Sequence, residues 1–103
     1  MQFEIALVRD GHTLGLHLRG ELDLIADSAV RAALIDALSD GAADTLIVDL
    51  DEVTFLDCTA IGALVFGRHL AEDHDRAYRI VNAHGMPLEL LTLTGVLEQP
   101  AEA

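Results

Sequence analysis

The amino-acid sequence predicts a single α/β domain. It carries a mixed four-stranded sheet in the order β-β-α-β-α-β-α, with an antiparallel N-terminal hairpin and helices packed on the sheet. Three observations support this. Two alternating apolar runs flank Asp10-Gly11, a tight-turn signal for a hairpin. Two longer segments, 26–38 and 58–74, place apolar residues at helical spacing, and a short apolar run follows each of them, 45–50 and 78–81. Strands alternating with helices imply right-handed crossovers and parallel pairing, to which the hairpin adds an antiparallel edge. A length of 103 residues suits one domain, and a hydrophobic fraction of 51% suffices for a core. Residues 1–97 are assigned to the domain and 98–103 to a short, frayed C-terminal tail.

Taken in order, Phe3 to Val8 has apolar residues at 3, 5 and 7, a strand pattern. Thr13 to Leu18 sets Leu14, Leu16 and Leu18 against Thr13, Gly15 and His17, which predicts a half-buried strand with His17 on its polar face. Gly20-Glu21-Leu22-Asp23 is expected to end that strand, because glycine frees the backbone to turn. Leu22 anchors in the core there, and the two carboxylates form either a plain strand-to-helix loop or an acidic lip. In the first helix, Val30, Leu34 and Leu38 recur at i, i+4 and i+8 beside Ala33 and Ala37. Asp27 and Ser28 suit its start and Gly41 its C-terminal cap. Strand 45–50 is expected to turn through Asp51-Glu52 and touch down again at Val53, Phe55 and Leu56. The second helix begins near Cys58 and is apolar nearly all round in its first two turns, so it is buried on more than one side. Tyr78 to Val81 is the last strand. A third helix starts near Met86-Pro87, where proline suits the first turn, packs Leu88 and Leu91 inward, and ends at Thr94-Gly95.

Composition narrows the function classes. The net charge is −12 and all six basic residues are arginine. Such a surface repels nucleic acid and anionic membrane and suits a partner with a basic face, though acidity alone also keeps a protein soluble. The longest nearly apolar run, Phe55 to Gly67, is too short for a bilayer span and is broken by Asp57. The start Met1-Gln2-Phe3-Glu4 lacks the basic region of a secretory signal, and a single cysteine, Cys58, fits a reducing compartment. The expectation is a cytoplasmic protein.

Catalytic motifs are poor. There is no glycine-rich phosphate loop and no GxSxG elbow. The five histidines lack metal-ligand spacing, and no cofactor is expected. Asp49 and Asp57 follow apolar strand residues, as a receiver aspartate does, but a receiver needs a lysine and the chain has none. The informative stretch is Asp57-Cys58-Thr59. Asp57 at a helix start can accept backbone N–H bonds from Thr59 or Ala60, which puts the Thr59 hydroxyl in the first turn near the surface. The residues alone leave two readings of Thr59, a local hydrogen-bonder and a phosphorylation site.

Gly20-Glu21-Leu22-Asp23, then Val48-Asp49-Leu50 followed by Val53-Thr54-Phe55-Leu56-Asp57-Cys58-Thr59-Ala60-Ile61-Gly62, resembles the STAS domain of bacterial anti-sigma factor antagonists. Thr94-Gly95-Val96 is similar to that family's late T-G-[LIV] segment. The resemblance covers nearly the whole chain and implies a STAS-like fold and a non-enzymatic regulatory module. In that family the signature reads D-S-[ST]-G-[LIV]-G. Its second hydroxyl residue is phosphorylated by a partner anti-sigma factor that is also a GHKL-type serine kinase, and the unphosphorylated antagonist binds that kinase and frees its sigma factor. By position, the resemblance implies phosphorylation at Thr59 and a partner surface of Asp23, Asp57, Cys58, Thr59, Gly62 and Phe66. Thr59, Gly62 and Phe66 follow one another at i, i+3 and i+7, and Phe66 suits either that face or the core.

Three departures stand out. Cys58 replaces the first serine. Ala60 replaces glycine, which is expected to add a methyl where the partner approaches. After the T-G-[LIV] segment the family usually continues with a strand and a helix, whereas Glu98 to Ala103 remain here, so the Tyr78–Val81 edge is expected to lie uncovered. The expected partner is an anti-sigma factor with a GHKL-type kinase domain, with no nucleic acid and no membrane, and a homodimer is compatible with the sequence. Two alternatives remain: a STAS scaffold without phosphoregulation in a signalling or transporter-associated complex, and a small enzyme using Cys58 as nucleophile. A helix N-terminus lowers a thiol pKa, but no base is nearby in sequence and Asp57 opposes the thiolate.

Overall fold

The computed structural model describes residues 2–97, and the tail 98–103 lies outside them. Seven elements follow one another: β1 (Phe3–Asp10), β2 (Thr13–Leu22), α1 (Leu24–Leu38), β3 (Thr45–Leu56), α2 (Cys58–Asp73), β4 (Ala77–Val81) and α3 (Gly85–Leu93). The sheet order is β1-β2-β3-β4, with β1 antiparallel to β2 and the other pairs parallel. This is the predicted mixed sheet and hairpin. The turn falls at Gly11-His12, where Gly11 has φ of 63°, the left-handed conformation that two-residue hairpin loops reserve for glycine.

Alternation in β2 and β3 builds one apolar face. Leu14, Leu16 and Leu18 of β2 and Leu46, Val48 and Leu50 of β3 are all buried. Val30 and Leu34 of α1, Leu64 of α2 and Leu91 of α3 belong to the same core. Each such side chain contributes about 1.5–3 kcal/mol when fully buried. The opposite face of the sheet is polar. Arg19 pairs there with Glu4 at 3.2 Å and Glu52 at 3.7 Å, and His17 Nδ1 lies 3.5 Å from Asp49 Oδ2.

β2 ends at Leu22, inside the expected Gly20-Glu21-Leu22-Asp23 stretch but past the glycine, and the expected turn at Asp51-Glu52 is corrected: it does not divide β3, which runs on to Leu56. The reason is a pair of bulges. Between the partner pairs His17–Asp49 and Arg19–Glu52, β3 gains one residue on β2, and it gains another between Gly20–Val53 and Glu21–Phe55. Each extra residue moves the buried set by one position, so burial runs 46, 48, 50, then 53, then 56. Gly20 permits this with φ of 92°, and a Cβ there would sit 2.3 Å from Gln2 O.

Helix ends also differ from the sequence reading. α1 starts at Leu24 and is capped by Asp23, whose Oδ1 accepts from Ile25 N–H at 3.0 Å; Asp27 instead pairs with Arg31. Its C-terminal cap is Ser39, which donates through Oγ to Ile35 O at 2.7 Å, so Gly41 does not serve. At the far end of α2, Gly67 lets two side chains approach: a Cβ there would lie 2.7 Å from Tyr78 Oη and 2.9 Å from Leu34 Cδ2. Tyr78 donates to Leu64 O at 2.8 Å, and burial pushes its pKa well above the usual tyrosine value, slightly offset by Arg68.

Candidate functional site

The parallel pairing of β2 with β3 sets Leu22 beside Leu56, so the residues that follow, Asp23 and Asp57, leave the sheet side by side. Asp57 N–H donates to Leu22 O at 3.2 Å, which ties the two exits together. Each aspartate has extended backbone and caps a helix. Two helix starts therefore open at the carboxyl edge of adjacent parallel strands, the edge where open α/β sheets present their sites.

At the second start, Asp57 Oδ1 accepts from Thr59 N–H at 3.0 Å, Ala60 N–H at 3.1 Å and Thr59 Oγ1–H at 2.6 Å. The Thr59 hydroxyl bond, followed by the backbone N–H bonds, holds the Asp57 carboxyl below its ordinary pKa against an opposing desolvation. Thr59 is half-buried, and Cys58 is exposed with a free thiol. Ala60 is only 4% exposed, so its methyl packs into the core and does not project toward a partner, contrary to the sequence expectation.

Asp23, Asp57, Cys58 and Thr59 thus gather at one edge of the sheet, while Gly62 and Phe66 continue down α2. Arg31 of α1 lies over both: its Nη2 is 3.3 Å from where a Gly62 Cβ would sit, and its guanidinium carbon is 5.2 Å from the Phe66 ring centroid. Phe66 also packs against the core.

Three residues at this end escaped the sequence reading. Arg31 left one signal, its i, i+4 spacing from Asp27. Leu24 and Ile25 are 69% and 71% exposed beside Asp23. A helix started at Leu24 would have shown both lying off the stripe of Ala26, Val30 and Leu34. Among the described residues no group of three or more His, Cys, Asp or Glu is placed to hold a metal, and no helix is long and apolar enough to cross a membrane.

This topology and its capped helix starts define a family. The model of the STAS domain family matches residues 4–100, and the chain belongs to that family. Among solved structures, it is similar to the anti-sigma factor antagonist SpoIIAA in its unphosphorylated form, with 24% identity and a TM-score of 0.70 over 94% of this chain and 82% of that one. The phosphorylated form of SpoIIAA from Bacillus is 24% identical with a TM-score of 0.69, over 92% of this chain and 85% of that one. An anti-sigma factor antagonist from Mycobacterium paratuberculosis is 21% identical with a TM-score of 0.82, over 92% and 80%. At these identities the likeness is one of fold. No curated protein matches the chain.

Proposed function

We propose that this chain is an anti-sigma factor antagonist-like binding module, switched by phosphorylation of Thr59 by a partner anti-sigma factor with a GHKL-type serine kinase domain. The observation that carries the reading is the placement of the Thr59 hydroxyl. It stands in the first turn of α2, half-buried, between the exposed Cys58 and the Asp57 carboxylate that orients it. In the transfer, Oγ1 bonds to the γ-phosphorus of ATP as the bridging P–O bond breaks; ADP leaves and the hydroxyl proton is released. The product adds about −1.5 to −2 charges at pH 7. The helix dipole tolerates that charge, but Asp57 repels it, so the hydroxyl's bond to Asp57 is lost and the surface changes while the fold stays.

The partner surface comprises Asp23, Asp57, Cys58, Thr59, Gly62 and Phe66, and the net charge of −12 favours a partner with a basic face. Residues 1–97 form the functional domain in this reading, and the protein acts in the cytoplasm without a catalytic activity of its own. A second reading, a STAS scaffold without phosphoregulation, is favoured by the 2.6 Å Thr59–Asp57 bond, which gives the hydroxyl a purely local use. Binding to the cognate kinase separates the two. The switch predicts that Thr59→Glu binds at least tenfold more weakly than wild type, an estimate of about 1.4 kcal/mol or more. Equal binding of the two proteins would reject it in favour of the scaffold.

A further inference from the structure

We infer that Arg31 is the intramolecular receptor for the phosphate on Thr59. The inference rests on the reading of Thr59 as the phosphorylated residue and says where the new charge goes. Thr59 and Gly62 are i and i+3 on α2, neighbours on the helix surface with Cβ positions about 5–6 Å apart. The Arg31 Nη2 lies 3.3 Å from the Gly62 Cβ position. A phosphoryl group adds an O–P and a P–O bond to the reach of Thr59 Oγ1 beside that helix surface.

Three further facts point the same way. Arg31 meets Asp27 only through Nε, at 3.1 and 3.2 Å from the two carboxylate oxygens. A guanidinium has five donors in a fixed fork, so the Nη groups can serve a phosphate while Nε keeps Asp27. Asp57 Oδ1 now holds the Thr59 hydroxyl at 2.6 Å and repels a phosphate in that position, which turns the group away from Asp57. The other five arginines are engaged elsewhere or lie on other elements: Arg9 pairs with Asp40, Arg19 with Glu4 and Glu52, Arg68 donates to Val96 O, Arg76 follows α2 and Arg79 is on β4. The guanidinium that lies over Gly62 and Phe66 is then shared with the phosphate. In this way the modification is felt along the whole Thr59–Gly62–Phe66 face rather than at one residue.

The test uses the full chain with phosphothreonine placed at position 59 during synthesis, so that no kinase is needed. The second ionisation of the phosphate is followed by phosphorus NMR across pH in the wild type, Arg31→Gln and Arg79→Gln. The two substitutions remove the same charge, one over Gly62 of α2 and one on an exposed position of β4. An opposite charge in contact favours the dianion, so the wild-type phosphate titrates about 0.5 pH or more below Arg31→Gln, and Arg79→Gln follows the wild type. Identical titration of Arg31→Gln and wild type, or an equal shift in Arg79→Gln, overturns the inference. Should Arg31→Gln not fold, the guanidinium nitrogen resonances of Arg31 in the unsubstituted chain decide: they move on phosphorylation, and unchanged resonances overturn it. Failure of a cognate kinase to modify Thr59 would instead count against the functional reading and leave this titration as it is.

Discussion

Asp57 Oδ1 receives three hydrogen bonds, two from backbone N–H groups and one from the Thr59 hydroxyl, so this one atom sets the geometry of the helix start. Removing a capping carboxylate costs about 0.5–2 kcal/mol, and Asp57→Ala is expected to lose about 1 kcal/mol in urea unfolding at neutral pH. The sign of the pH dependence follows from the lowered carboxyl pKa. A depressed folded value means the contribution is present above the ordinary 3.8 and is lost as pH falls through the lower folded value. The gap between wild type and Asp57→Ala therefore narrows as pH falls from 3.8 through that lower value; a gap that widens across this window contradicts the assignment. Sequence reasoning reached Asp57 and Thr59, because an Asp-x-hydroxyl at a strand-to-helix junction has a local logic. Of Arg31 it offered only the i, i+4 spacing from Asp27. The residue meets α2 because α1 and α2 pack together, and that contact is not written in local spacing.

At the scale of elements, the two bulges in β3 and the close contacts of two glycines hold the frame. A methyl at Gly67 would meet Tyr78 Oη at 2.7 Å and Leu34 Cδ2 at 2.9 Å, so Gly67→Ala is expected to destabilise by about 1–3 kcal/mol through overpacking. A thermal melt of that variant equal to wild type would show that α2 and β4 have slack this packing denies. The order of elements, the hairpin and the parallel crossovers were legible in alternation and helical spacing. The run of β2 to Leu22 and of β3 through Asp51-Glu52 was not. Both stretches carry turn-type residues, and their strand character comes from the partner strand's hydrogen bonds rather than from their own composition. The expected caps of α1 failed for a related reason: Asp23, Asp27 and Ser28 are all competent caps, and the helix begins at Leu24, which leaves Asp23 in the capping position.

Across the whole molecule, one face of the sheet carries the core and one edge carries the starts of α1 and α2. His84 occupies the N-cap position of α3 without a side-chain cap bond and donates through Nε2 to Asp51 O at 2.6 Å. Position in this frame decides what a substitution does. Leu16, fully buried in β2, should cost about 2–5 kcal/mol as Leu16→Ala, with the loss read in stability before it is read in partner binding. The net charge of −12 governs encounter rather than fold. Association with a basic partner is therefore expected to slow as salt rises, since screening sets in over about 8 Å at physiological ionic strength. Salt-independent association would argue that charge plays no part.

Intact mass after incubation with an anti-sigma factor kinase partner and ATP tests the proposed switch at Thr59. A switch there gives a gain of one phosphoryl group in the wild type and none in Thr59→Ala. An unmodified wild type, or a gain that persists in Thr59→Ala, would contradict it.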